Sequence, residues 1–234
     1  MCGIVGGISE RNILPILVEG LRRLEYRGYD SAGVAFKKNG SISVTKNLGR
    51  VDQLTKKLNL KTNQSNLGIA HTRWATHGIP SEKNAHPHHS KNIFVVHNGI
   101  IENHDDLRAY LKAEGIRFST QTDTEVIGHL IRTFTEKGQS FEKAVFNTIK
   151  KLKGAYALGI IDKNNPEQII GVRNQSPLVL GKGFEENFIA SDVMALAPVT
   201  NKFTYLDDGQ VALLSSHKTA VSYTHLTLPT TYTV

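Results

Sequence analysis

The sequence predicts an α+β domain in which helices and antiparallel sheets stack in layers. Three observations carry this expectation. Short β-type segments occupy both ends of the chain, while residues from about 103 to 152 repeat apolar side chains at helical spacing. Asn39-Gly40, set between two alternating segments, is a strong signal for a two-residue hairpin. No internal repeat and no clear linker divides the 234 residues, so one domain is expected.

In chain order, Ile4-Val5-Gly6-Gly7-Ile8 is an apolar run of buried-strand type. Asn12 is placed to cap a helix and Pro15 falls in its first turn, where proline is tolerated. Leu14, Leu17, Val18, Leu21 and Leu24 then mark one helical face, and Tyr26 to Ser31 breaks the helix. Strands over 32–37 and 41–45 flank the hairpin turn, and residues 50–60 form a weaker helix. Leu67 to Ala70 is an apolar strand that runs, from His71, into a loop reaching about Asn92. A loop of that length is expected to have a functional role or to lack order. The strand pattern resumes from Ile93 to Val96 and ends in His97-Asn98-Gly99. Helices are expected over 103–114, 124–137 and 140–152, the second with Asp123 or Thr124 at its cap. From Ala155 the pattern is β, over 155–162, 168–173, 177–181, 187–190, 203–206 and 209–214. The last stretch departs from this. Residues 219–234 hold six threonines, no acidic residue and no obvious apolar face. A disordered terminus, an edge strand and residues foreign to the natural protein all fit, and the abrupt change favours the third. The domain is therefore expected over 1–214, with 215–234 a tail of unclear origin.

Composition narrows the function classes. No apolar run approaches the roughly 18 residues of a membrane span, and the first residues lack a secretory pattern. A single cysteine excludes internal disulfides and fits a reducing cytosol, so a cytoplasmic protein is expected. The net charge of +7 invites a nucleic-acid partner, but the basic residues are scattered, with no run of five and no aromatic interleaving. Attraction of anionic substrates, or simply a solvated basic surface, accounts for the charge better.

Cys2 follows the initiator methionine directly, so removal of Met1 would leave a thiol and a free α-amine on one residue. The amine, of reference pKa about 7.7–8.0, would then act as base for a nucleophile that ionises near pH 8.5. A cysteine buried as a small hydrophobe is the plainer alternative. Three polar clusters at strand ends argue against it: Arg73 to His77, Asn98-Gly99, and Thr122-Asp123. Asn98 with the Gly99 N–H suits an oxyanion pair, Arg73 a carboxylate, and Asp123 an ammonium. A cation and an anion held apart in one pocket suit an amino acid, over which Trp74 to Ser81 could close. Each has a plainer counterpart: an Arg73–Asp123 surface ion pair, a simple turn at Asn98-Gly99, and Trp74 in the core. His86, His88 and His89 lack a familiar zinc spacing, so no metal and no cofactor is expected.

Four segments carry a family resemblance: Met1-Cys2-Gly3-Ile4-Val5-Gly6, Arg23 to Gly33, His71 to Gly78, and His97 to Asn103. Thr122 to Glu125 and Glu186 to Asp192 extend it. Together they resemble the glutaminase domain of the glutamine–fructose-6-phosphate aminotransferase (isomerising) family, from residue 1 to about 214. The resemblance implies an N-terminal-nucleophile hydrolase fold, an αββα sandwich of two antiparallel sheets. It also implies hydrolysis of glutamine through a Cys2 thioester, with Asn98 and Gly99 stabilising the tetrahedral intermediate. Arg73, Thr76 and His77 would bind the substrate carboxylate, and Asp123 with the Gly99 carbonyl the ammonium. Trp74 would lie in a closing lid, and Arg27 would support the nucleophile. Members of the family continue through sugar-isomerase domains that bind fructose 6-phosphate, and the parent enzyme is expected to be a homo-oligomer. Those domains are missing from this sequence, so a glutaminase unit is expected. A truncated, non-catalytic glutamine-binding or oligomerising module of the same fold is the alternative.

Overall fold

The computed structural model describes residues 2–223 and the backbone of 232–233. Two seven-stranded sheets form its centre. The first runs β11 (Phe203–Tyr205), β9 (Val179–Lys182), β10 (Glu186–Ala190), β1 (Gly3–Ser9), β4 (Leu67–Arg73), β2 (Ser31–Lys38), β3 (Ser41–Leu48). The second runs β14 (Tyr232–Thr233), β13 (Thr219–Tyr223), β12 (Gln210–Leu214), β8 (Asn165–Asn174), β7 (Gly154–Asp162), β6 (Ile93–Ile101), β5 (His88–Ser90). Every pairing is antiparallel.

Alternation along the strands sorts the apolar side chains into three layers. Ile4, Ile8, Ile69, Phe94, Val96 and Ile189 fill the space between the sheets. Val5, Ala70 and Phe188, on the outer face of the first sheet, pack under α1 (Leu14–Leu24) and α2 (Val51–Leu58). Val95, Leu158 and Val172 do the same under α3 (His104–Ala113), α4 (Glu125–Glu136) and α5 (Phe141–Ile149). The fold is thus an αββα sandwich, as the resemblance implied.

Most elements stand where the periodicity placed them, and the differences have local causes. Asn12 is not the cap of α1. Its side chain accepts from Leu14 N and Ser65 N, at 3.3 and 3.0 Å, and Ile13 takes the cap position. Asn39 and Gly40 turn the β2–β3 hairpin with φ of 50° and 72°, as expected of this dipeptide. The long loop is shortened at both ends, because β4 continues to Arg73 and His88–Ser90 pairs with β6 as an edge strand. Asn98-Gly99 is not a turn: β6 carries it without interruption to Ile101. Beyond residue 214, Thr219–Tyr223 pairs with β12 and buries Thr219, Val221 and Ser222, so this part of the expected tail is a strand of the second sheet. Residues 224–231 and 234 lie outside the described residues.

Candidate active site

β1 starts at Gly3 in the middle of the first sheet, held by β10 on one side and β4 on the other. The register sets Gly3 against Thr72, so Cys2 emerges beside the end of β4. There Trp74 N donates to Cys2 Sγ at 3.2 Å. Asn98 approaches from the second sheet: it lies on β6 in phase with Phe94 and Val96, and so faces the first sheet. Its Nδ2 donates to Cys2 O at 3.1 Å. Cys2 and the Asn98 amide are therefore brought together by β1 and β6, one strand from each sheet, rather than by loops.

Gly99 follows with φ of 121°, and a Cβ there would lie 2.0 Å from Ala155 O. No other residue fits that place in β6. Asp123, at the start of α4, accepts from Ile101 N at 2.9 Å. Its other oxygen stands 4.0 Å from His77 Nδ1, which has no hydrogen-bond partner. The Asp123 carboxylate is thus buried yet only part-satisfied, a setting that suits a cationic ligand.

Arg73 ends β4 with its guanidinium buried, and Asp30 rather than Asp123 is its ion-pair partner at 3.7 Å. At an effective dielectric near 20 such a pair is worth about 4 kcal/mol, close to the several kcal/mol that burial of one ion costs. Arg73 also donates to His77 O and Gly78 O at 2.5 and 3.0 Å, but one terminal nitrogen keeps no hydrogen bond. A second anion would complete it.

The segment after β4 folds over this end. Asp30 Oδ2 accepts from Ala75 N at 2.5 Å and fixes its root. Trp74 is 53% exposed, outside all three apolar layers, and its ring lies on Gly28 with no room for a side chain there. Thr76 is exposed and His77 half-buried. Arg27 is ion-paired with Asp192 and also reaches Ser191 Oγ, whose oxygen accepts from Ile4 N. It therefore braces the start of β1 from the side, as well as lining a cavity with Cys2.

Two cavities meet at Cys2. A narrow one of about 10 Å³ lies among Arg73, Thr76, His77, Gly99 and Asp123. That is room for about one water, so an amino acid enters only if the lid residues withdraw. A wider one of about 420 Å³ opens on the other side between Arg27, Trp74, Asn98, Ile100 and Pro177.

Electrostatics follow from burial. Burial pushes the Cys2 thiol above its ordinary value, while the Trp74 N–H and the Arg73 charge pull it back. Desolvation holds the His71, His86, His88 and His97 rings below the usual histidine range, so these are neutral at working pH. Three of them are tied to threonines: His86 and His97 both reach Thr124 Oγ1 at 2.9 Å, and His88 reaches Thr122 Oγ1 at 3.2 Å. This explains why Thr124 makes no cap bond to α4. His89 is exposed and stacks on Phe94. Among the described residues no group of three His, Cys, Asp or Glu side chains converges as a metal site requires.

All nine residues singled out from the sequence stand around this end of the sandwich. Two that contact them, Asp30 and His71, were not among those nine, although both lie within the motifs that carry the resemblance. A charge within one residue of a strand that pairs with β4, and a polar side chain two residues before Arg73 on the same strand face, were the available signals.

This fold and site define a class. The chain belongs to the glutamine amidotransferase domain family, whose model matches residues 71–198. It is 54% identical over 215 residues to the glutamine–fructose-6-phosphate aminotransferase (isomerising) of Acinetobacter baylyi, covering 92% of this chain and 35% of the relative. The enzyme of the same name from Escherichia coli K12 is 52% identical over 213 residues, covering 91% and 35%. The chain thus spans about a third of the length of these relatives. Its fold is shared with the glutamine phosphoribosylpyrophosphate amidotransferase of B. subtilis, with a TM-score of 0.84 at 24% identity over 97% of this chain and 50% of that one. A glutamine aminotransferase class-II domain protein from Silicibacter pomeroyi matches with a TM-score of 0.65 at 14% identity, over 96% and 100%.

Proposed function

We propose that this chain hydrolyses the side-chain amide of glutamine to glutamate and ammonia, with Cys2 as nucleophile. The observation that carries the reading is the meeting of Cys2, Asn98, Gly99, Arg73 and Asp123 at one end of the sandwich, with a buried guanidinium nitrogen left unbonded.

Removal of Met1 frees the Cys2 α-amine, which takes the thiol proton that burial otherwise retains. Sulfur attacks the amide carbon, and Asn98 Nδ2 and Gly99 N–H receive the charge on oxygen. Arg73, with Thr76 and His77, holds the α-carboxylate, while Asp123 and the Gly99 carbonyl hold the α-ammonium. Collapse of the tetrahedral intermediate moves the proton from the α-ammonium of Cys2 to the leaving nitrogen and releases ammonia. Water then cleaves the γ-glutamyl thioester and regenerates the thiol. Trp74 and the lid keep bulk water out while the thioester forms, and Arg27 steadies the strand that carries the nucleophile.

The relatives' name, glutamine–fructose-6-phosphate aminotransferase (isomerising), supports a unit that supplies ammonia for amination of fructose 6-phosphate, with glucosamine 6-phosphate as the product the family resemblance implies. We place the unit in the cytoplasm as part of a homo-oligomeric parent enzyme, with a domain over 1–214 that Thr219–Tyr223 extends by one strand. Scattered basic residues support no nucleic-acid partner, and no helix among the described residues is long and apolar enough to cross a membrane.

The test is direct. Mass spectrometry of the purified protein should show Met1 gone, and Cys2→Ala should abolish glutamate release from glutamine. Hydrolysis surviving in that variant would end the reading.

A further inference from the structure

We propose that His71 is a positioning residue for amide hydrolysis, fixing which end of the Asn98 amide faces the nucleophile; this rests on the glutaminase reading above.

His71 precedes Arg73 by two residues on β4 and points, like it, toward the second sheet. Its Nε2 lies 3.0 Å from Asn98 Oδ1 and 3.0 Å from His97 O. Both are oxygen acceptors, so Nε2 must carry the proton. Nδ1 is buried without a hydrogen-bond partner, and the ring packs on His86 with centroids 4.1 Å apart. A second proton on Nδ1 would therefore be a buried, unpaired charge. Burial accordingly pushes the ring down to about 3, and His71 stays the neutral Nε2–H tautomer over the whole working range.

An asparagine amide offers oxygen on one side and nitrogen on the other, at nearly equal size. Turned over, Asn98 would set Nδ2 against the Nε2–H of His71 and aim its oxygen at the nucleophile. That orientation would repel the oxyanion. The other bond of this amide, from Nδ2 to Cys2 O at 3.1 Å, is made to the residue that changes most during the reaction. The ring of His71, fully buried in a central strand, is the stationary end. It touches no substrate position directly and acts through Asn98.

The experiment compares His71→Leu with His71→Gln, which keeps a nitrogen donor. For His71→Leu, kcat for glutamine should fall tenfold or more, up to the about 10²–10³ that loss of one oxyanion donor costs, with KM within about twofold. His71→Gln should recover most of it. In an Asn98→Ala background, His71→Leu should change kcat by less than about twofold, since the group it orients is gone. A wild-type kcat in His71→Leu, an equal loss in the Asn98→Ala background, or no rescue by Gln would overturn the proposal. Ring nitrogen-15 NMR of the unsubstituted protein decides independently of whether the variants fold. An Nε2–H tautomer that does not titrate from pH 5 to 9 is expected, and an Nδ1–H tautomer or a titrating ring contradicts it. Cys2→Ala in the same assay separates failure of the glutaminase reading, which leaves the NMR result for His71 standing.

Discussion

Asn98 is bound at both ends, through Oδ1 to His71 and through Nδ2 to Cys2 O. An amide pinned in this way needs no reorganisation when negative charge develops beside it, which is why such groups matter so much to rate. Asn98→Ala should lower kcat by about 10²–10³ while KM changes much less. Steady-state kinetics with glutamine checks this, and a raised KM at constant kcat would mean that Asn98 contributes ordinary binding instead. At this scale the sequence singled out Cys2, Asn98 and Arg73, because Cys2 is the chain's one cysteine and Asn98 and Arg73 sit where strand patterns run out. It did not show the company they keep. That Arg73 pairs with Asp30 rather than Asp123 depends on Ser31 lying opposite Arg73 in the β2–β4 register, and no single-chain pattern encodes that register.

Among the elements, the segment after β4 is the one whose behaviour follows most directly from its anchors. Asp30 holds Ala75 N and faces the Arg73 guanidinium, so one carboxylate fixes both the lid root and the proposed carboxylate-binding group. Asp30→Ala should raise KM for glutamine about tenfold, one hydrogen bond to a charged group being worth about 1.5 kcal/mol, and change kcat less. Glutamine titration of initial rates, with a melting curve to verify folding, measures it. Helices and central strands were legible because their apolar spacing is set by the layers they serve. His88–Ser90 was not, being three residues long and a strand only because β6 lies beside it. For Thr219–Tyr223 a strand was one of three readings and not the favoured one, because its buried residues include Thr219 and Ser222, which read as polar in isolation. Asn98-Gly99 resembled a turn because positive φ usually marks one; here it marks Ala155 O pressed against a strand glycine.

For the molecule as a whole, four neutral histidines in the interior couple stability to acid. His71, His86, His88 and His97 each have a folded pKa below the unfolded value of about 6.5. Below that value the unfolded chain binds protons that the folded chain refuses, so stability is full above pH 6.5 and is lost as pH falls. Each histidine contributes a slope of up to about 1.4 kcal/mol per pH unit in this window. Lowering pH from 7 to 5 should reduce Tm by at least about 10 °C. Calorimetry decides, and a flat Tm across that range would contradict the neutral assignment.

The position of β1 has a practical corollary. Because Cys2 leads straight into a strand flanked on both sides, any peptide fused ahead of it would have to exit through the cleft where Arg73, Asn98 and Trp74 gather. An affinity handle on that end would plug the enzyme it was meant to purify.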